Sequence, residues 1–508
     1  MEYLLGIDLG TSGTKTVLFD MNGSAVASAT VEYPLHQPQN GWAEQDPLDW
    51  WEAAKTTIRQ VLQKSRANPE DIMGLGISGQ MHGLVLLDEN GDVLRPAIIW
   101  NDGRTSLECA EITQIIGYER LIAITANPAL TGFTAGKILW VRKNEPDIYK
   151  RAKHILLPKD YVRYKLTGEY FSEMSDASGT NLLDVPKRCW SDEILTLLRI
   201  DKNLLPPLIE SSDRAGTVTP RAAKDTGLNA GTIVAAGAGD NAAAAVGTGV
   251  VKQGKAFITI GTSGVIFAHS DTVQIDPAGR VHTFCAAVPG AYAVMSCSLA
   301  AGLSLKWFRD TFCLAECETA GQMGVDPYQL MDEEAKKVQI GANRLLFLPY
   351  LMGERSPLLD SNARGAFIGL SAIHTRRDLL RAVMEGVIYS QKQNLDILSG
   401  MRVLPDAMLA TGGGAKSTLW REMIADVLQM PVKTVANTEG PALGAAILAG
   451  VAAGVYEDIP GACEKIIREN EPLTPDKKKG EAYHRVYEIY QSLYPALKDT
   501  YRKLIAVT

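Results

Sequence analysis

An α/β protein built from two related halves is the fold this chain predicts, and three observations carry the prediction. The first is length: 508 residues exceed one ordinary core and call for two large domains or several small ones. The second is a phrase that occurs twice. Residues 7–13 read IDLGTSG and residues 258–264 read ITIGTSG, each an apolar run turning through glycine and hydroxyl residues into a second run. The third is the alternation of strand-like and helix-like segments in both halves. The repeat favours two domains, 1–249 and 250–508.

Each copy of the phrase reads as a β-hairpin whose turn approaches a phosphate, because glycines let the backbone come close and Thr and Ser add hydroxyl donors. The copies differ at Asp8, which is matched by Thr259. In a nucleotide clamp, only the first half brings a carboxylate for a metal. Residues 49–65 follow with apolar positions at Trp51, Ala54, Ile58, Val61 and Leu62, the spacing of an amphipathic helix. Residues 72–77 read as a strand entering a loop at 78–83, and 84–87 as a strand closed by an Asp-Glu-Asn-Gly turn. Helical segments run on to about 165, including 137–143 around Trp140. A short strand at 233–236 leads through Gly-Ala-Gly into Asp240, Asn241 and an alanine-rich helix.

The second hairpin starts near Lys255, and the logic repeats. A long helix at 377–398 precedes a strand at 407–410, a glycine loop, a helix at 417–430 and a strand at 432–435. Residues 440–456 (GPALGAAILAGVAAGVY) are shorter than the ~20 residues of a membrane span and rich in Gly and Ala, so a tightly packed internal helix is expected. A polar helix at 477–504 ends the pattern. The glycine cluster at 410–417 (ATGGGAKS) superficially looks like a mononucleotide P-loop, but that motif needs glycines where this chain has Ala410 and Ala415. A glycine turn before a helix lets a flat base or ribose lie against the backbone.

Composition narrows the classes. With 46% hydrophobic and 21% charged residues, the chain reads as globular, neither disordered nor fibrous. A net charge of −7 argues against nucleic acid or an anionic membrane as the main partner, without bearing on a local basic pocket. Seven cysteines without paired CxxC spacing read as reduced thiols rather than a zinc site or disulfide framework. Cys313 and Cys317 would share a helix face, which alone does not make a metal site. No basic and apolar leader is apparent, and a cytoplasmic protein is expected.

A hairpin with Asp, a hairpin without it, then a GGG turn before a helix resembles the layout of the actin, Hsp70 and sugar-kinase superfamily, in which two RNase H-like domains close over ATP. Residues 132–144 (GFTAGKILWVRKN) and 365–387 (GAFIGLSAIHTRRDLLRAVMEGV) resemble the two signature regions of the FGGY carbohydrate kinases. Residues 77–83 (ISGQMHG), 100–104 (WNDGR), 157–168 (LPKDYVRYKLTG), 239–241 (GDN) and 440–444 (GPALG) are most similar to its xylulose-phosphorylating members. The matches cover nearly the whole chain in order.

The resemblance implies ATP-dependent phosphorylation of a ketopentose, D-xylulose first, with another FGGY sugar such as gluconate or ribulose as the near alternative. A non-kinase ATPase of the superfamily is the distant one. It also implies roles. Asp8 would hold Mg²⁺ through water; Thr11, Ser12 and Thr262 would bond phosphate oxygens; Lys15 would add charge or merely flank its strand. Asp240 would be the general base, against the plain alternative of capping its helix. Met81, His82 and Asn241 would bind the sugar, while Trp100, Asp102 and Arg104 would line or brace its pocket or form a domain-internal ion pair. Gly413 and Gly414 would face the adenine, with Gly302 and Lys306 near the nucleotide. Trp42 would pack or touch substrate. A homodimer is the family expectation, although no apolar stripe marks its interface.

Overall fold

The computed structural model describes residues 1–437 and 439–507. The N-terminal sheet contains β1 (Tyr3–Leu9), β2 (Gly13–Asp20), β3 (Ala25–Glu32), β4 (Ile72–Gly79), β5 (Arg214–Thr217) and β6 (Ile233–Ala235), in the order β5-β6-β4-β1-β2-β3. A short β7 (Ala238–Gly239) also runs along β4. The C-terminal sheet contains β8 (Lys255–Ile260), β9 (Gly264–Ser270), β10 (His282–Cys285), β11 (Tyr292–Ser298), β12 (Ala407–Thr411) and β13 (Val432–Lys433), in the order β10-β11-β9-β8-β12-β13. In each sheet the first three long strands form an antiparallel meander. Two later strands then extend it in parallel from the far side of the first, β4 and β6 in one half and β12 and β13 in the other. The duplication seen in the phrase therefore extends to the whole sheet.

The hairpins themselves are not identical. Leu9 pairs with Thr14 in the first, whereas Ile260 pairs with Gly264 in the second. The first turn thus spans residues 10–13 and the second only 261–263. A one-residue slip exchanges strand faces, so Gly264 takes the buried position that Thr14 holds in the first copy, and Val265 takes the half-buried position of Lys15.

The helix α1 (Pro47–Ser65) begins where the Asp46 carboxylate accepts from the Leu48 N–H at 2.9 Å and Pro47 fixes the first turn. Its apolar stripe, Trp50, Ala54, Ile58 and Val61, is buried on β2 and β3. The later helices are α2 (Asp240–Gly247), α3 (Gly302–Phe312), α4 (Arg376–Gly400), α5 (Gly440–Ala452) and α6 (Lys477–Ile505). Around α4 and α6 the C-terminal core collects Trp420, Tyr389 and Tyr490.

The small-residue helix α5 lies in the second half of the sequence, yet it packs on β1 and β4 of the first sheet and on α2. Its composition explains the contact. A Cβ on Gly6 would stand 1.9 Å from the Ala442 carbonyl oxygen, and one on Gly76 2.1 Å from that of Ala445. Gly444 and Ala243 are equally close, at 1.9 Å. Backbone meets backbone here, and Leu443 and Ile447 join Leu4, Val17 and Phe19 in one core. Among the described residues, no helix is long and apolar enough to cross a membrane.

Candidate active site

Both hairpin turns are tied back by their carbonyls. In the first, the Leu9 oxygen accepts from the Gln80 N–H at 2.9 Å, the Gly10 oxygen from the Tyr33 hydroxyl, and the Thr11 oxygen from Gln45 Nε2 at 2.7 Å. In the second, the start of α3 does the same work: Gly302 N–H donates to Gly261 at 2.7 Å, and Ala301 and Leu303 N–H donate to Thr262 at 3.0 and 3.1 Å. The N–H groups of Thr11, Ser12, Thr262 and Ser263 keep no hydrogen-bond partner among the described residues. Two turns with fixed carbonyls and free N–H groups form anion-receiving concavities. Gly302 has to be glycine, since a Cβ there would lie 2.3 Å from the Gly261 oxygen.

Asp8 stands on β1 between Lys15 on β2 and Ser78 on β4. The Ser78 hydroxyl donates to its Oδ1 at 3.0 Å. Burial raises the Asp8 carboxyl to about 6, against the opposing pulls of Ser78 and Lys15 and with a further push from Glu439. Of the two roles open to Lys15, the ion pair its ammonium makes with Glu439 at 2.5 Å supports flanking: it links β2 to the start of α5.

Asp240 opens α2. Gly239, not Asp240, occupies the N-cap position, and no side chain caps that helix. Oδ1 of Asp240 accepts from the backbone N–H and the Nδ2 of Asn241 at 2.7 and 2.9 Å; Oδ2 keeps no partner among the described residues. Burial first, and the charge of Asp8 second, raise this carboxyl to about 6 while the Asn241 bonds pull it down. A half-buried carboxylate with one oxygen fixed and the other free is suited to accept a proton.

Met81 and His82 lie close by. A Cβ on Gly239 would stand 2.8 Å from Met81 Cγ, which puts the Met81 side chain directly against the turn that carries Asp240. His82 has φ +69°, and its backbone carbonyl accepts from Lys137 Nζ at 2.8 Å and Thr134 Oγ1 at 3.1 Å. Its Nδ1 is 2.7 Å from the Gly179 carbonyl, which only accepts, so Nδ1 carries the proton and Nε2 is an acceptor. Burial and the nearby Lys137 hold the ring neutral, with its pKa down at about 3.

A cavity of about 700 Å³ runs from Asp240 and Asn241 past Thr259 to Thr411, Gly412 and Lys416. A second, of about 450 Å³, meets it at Lys416 and is lined by Thr262, Gly302, Lys306, Gly413 and Gly414. The expected nucleotide residues of the second half thus share one pocket. Gly413 faces open space, and a Cβ on Gly414 would strike Ile260 at 2.7 Å. Lys306 pairs with Asp310 at 2.6 Å on the exposed face of α3.

Asp102 is not brought to the pocket. It is 1% exposed; its oxygens are taken by the Ala43 N–H at 2.6 Å and by the Arg104 guanidinium at 2.7 Å. Arg104 in turn lies 3.7 Å from the Trp42 ring centroid. This group is a brace, and Trp42 is part of its packing. Trp100 sits differently: half exposed, it donates from Nε1 to Thr11 Oγ1 at 2.8 Å, which ties it to the first turn.

Ser78, Gln45, Tyr33 and Lys137 were given no role in the sequence reading, and Gln80 was read only as part of the phrase with Met81 and His82. Each acts through a partner distant along the chain, and only the glutamine of the QMH phrase carried any local signal.

Comparison with known proteins agrees with this geometry. Residues 3–247 match the N-terminal domain of the FGGY family of carbohydrate kinases and residues 256–453 its C-terminal domain. The xylulose kinase of Bacillus subtilis is 40% identical over 98% of this chain and 98% of its own length. The gluconokinase of the same organism is 32% identical over 99% and 98%. The crystal structure of xylulose kinase from Rhodospirillum rubrum superposes with a TM-score of 0.90 at 31% identity, covering 99% of this chain and 100% of that one. Paired sheets, paired turns and full-length similarity lead to one assignment: the chain belongs to the FGGY family of carbohydrate kinases.

Proposed function

We propose that this kinase transfers the γ-phosphoryl group of ATP to D-xylulose, giving D-xylulose 5-phosphate and ADP. The observation that carries the reading is Asp240, which keeps Oδ2 free of hydrogen bonds and lines a cavity leading to the second hairpin and the glycine turn. The sugar lies against Met81, His82 and Asn241 in the first half, residues 1–249. Adenosine lies in the pocket of Gly302, Gly413 and Gly414 in the second, residues 250–508. The attacking hydroxyl loses its proton to Oδ2 as its oxygen bonds to the γ-phosphorus and the bond to the β-phosphate oxygen breaks. Because such transition states are loose, alignment and charge neutralisation are most of the catalysis. The free N–H groups of both turns take the phosphate oxygens.

Asp8 suits Mg²⁺, an ion that keeps several waters and uses one or two carboxylates; its burial leaves a negative charge that an arriving cation would relieve. When bound, the ion supplies neutralisation of the phosphate charge. Seven free thiols and a need for ATP support a cytoplasmic enzyme, and a homodimer is the assembly proposed from the family.

Sugar-dependent ADP release across xylulose, ribulose, gluconate and glycerol tests the assignment. Xylulose should give the highest kcat/KM; a far higher value with gluconate or another sugar overturns the substrate choice.

A further inference from the structure

His282 sits on β10, in the C-terminal half, yet its ring belongs to the aromatic cluster around His82. Phe133 stacks on His82 with centroids 4.4 Å apart, and His282 packs on Phe133 at 5.7 Å and on Phe284 at 5.5 Å. The two histidines are held in the same state by the same device. His282 Nδ1 is 2.8 Å from Asn127 Oδ1. The Asn127 amide cannot be turned around, because its Nδ2 donates to the Thr125 and Thr283 carbonyls at 2.8 and 2.9 Å. Its oxygen therefore faces the imidazole, Nδ1 carries the proton, and Nε2 is left as an acceptor. That nitrogen keeps no hydrogen-bond partner among the described residues, although His282 is only 3% exposed. Nε2 is not fully enclosed, so its lone pair stays open to a donor. Burial, with Arg355 and His82 nearby, holds the ring uncharged, so the lone pair is retained at neutral pH.

We infer that His282 is a sugar-binding residue supplied by the C-terminal half, its Nε2 accepting a hydrogen bond from a hydroxyl of the polyol that His82 also binds. The inference rests on the sugar-kinase reading above and deepens it. A polyol with hydroxyls on both imidazoles would bond to both halves at once, at a point where Phe133 and Asn127 already meet His282. Specificity follows as well: a site built around two fixed acceptors discriminates against analogues that lack the donor hydroxyl.

The test uses the full-length enzyme. His282→Phe keeps the ring stack and removes the acceptor, and the expected result is a rise of about tenfold in KM for the sugar with KM for ATP unchanged. His282→Gln, which restores an acceptor, should recover much of the loss. Histidine nitrogen NMR of the wild-type protein avoids any dependence on variant folding: the Nε2 resonance of His282 should move when sugar is added without nucleotide. An unmoved resonance, or an unchanged sugar KM in a folded His282→Phe, overturns the inference. A wild-type enzyme that phosphorylates no ketopentose would instead overturn the substrate reading and leave the NMR experiment to be run with whichever polyol is turned over.

Discussion

Replacing Asp240 by Asn separates its chemical role from its structural one, and the structure sets both magnitudes. The asparagine oxygen can accept the two bonds that Asn241 now gives to Oδ1, so the start of α2 should keep its shape. The base is lost, and kcat should fall by about 10²- to 10⁴-fold. Stability should move the other way. Carrying the carboxyl from 3.8 to about 6 corresponds to about 3 kcal/mol against the ionised folded state, and partial exposure reduces this to about 1–2 kcal/mol. The folded-state pKa is raised, so the folded protein holds the proton more tightly between pH 4 and 6. The penalty is absent below pH 4, develops up to pH 6 and is complete above it. Without nucleotide and metal, Asp240→Asn should therefore denature at a higher temperature than wild type at pH 8, and the difference should vanish near pH 4. In the wild type, kcat/KM should fall below about pH 6 as both Asp240 and Asp8 take up protons, and Asp240→Asn should leave only the shallower limb of Asp8. Turnover above about a tenth of wild type would refute the assignment of Asp240 as base.

Other substitutions probe the frame around it. Gly302→Ala drives a Cβ toward the Gly261 oxygen 2.3 Å away and shifts the second turn, so kcat/KM for ATP should drop about 10- to 100-fold with sugar affinity unchanged, as read by calorimetry. Ser78→Ala removes the hydrogen bond that orients Asp8. The Mg²⁺ concentration giving half-maximal rate should rise about tenfold, in a titration at saturating ATP and sugar. Gly76→Ala meets backbone at 2.1 Å and should destabilise the protein by about 1–3 kcal/mol. Unchanged urea midpoints would mean that α5 does not pack as described.

Local pattern made much of this molecule legible. The hairpins and the glycine turn announced themselves through turn chemistry, and α1, α4 and α6 through periodicity, the three helices within two residues of their observed ends. Motif order singled out Asp8, Asp240, Met81 and His82 as candidates, and the fold sets the charge of Asp8 and the Met81 side chain beside the turn that carries Asp240. Sequence left Lys15 open between adding charge and flanking its strand, because Glu439, its partner, lies 424 positions away in a different phrase. Asp102 was open between lining the pocket and an internal ion pair with Arg104; the fold shows the ion pair, with the Ala43 N–H donating to the same carboxylate. The one-residue difference between the hairpins was hidden by identical GTSG letters, since register is set by the strands on either side. His282 carried no motif at all, and its meaning comes from an asparagine on the other half.

The route of α5 bears on how the protein is made. The face of the first sheet that contains Gly6 and Gly76 is covered by residues 440–452, with Ile459, Ala462 and Ile466 completing the same core. On a ribosome moving at about 5–20 residues per second, that cover follows the first sheet by roughly 10–40 s. Throughout that interval the nascent N-terminal half presents an uncovered apolar face, a natural point of capture for a holding chaperone and the surface on which a truncated chain would self-associate.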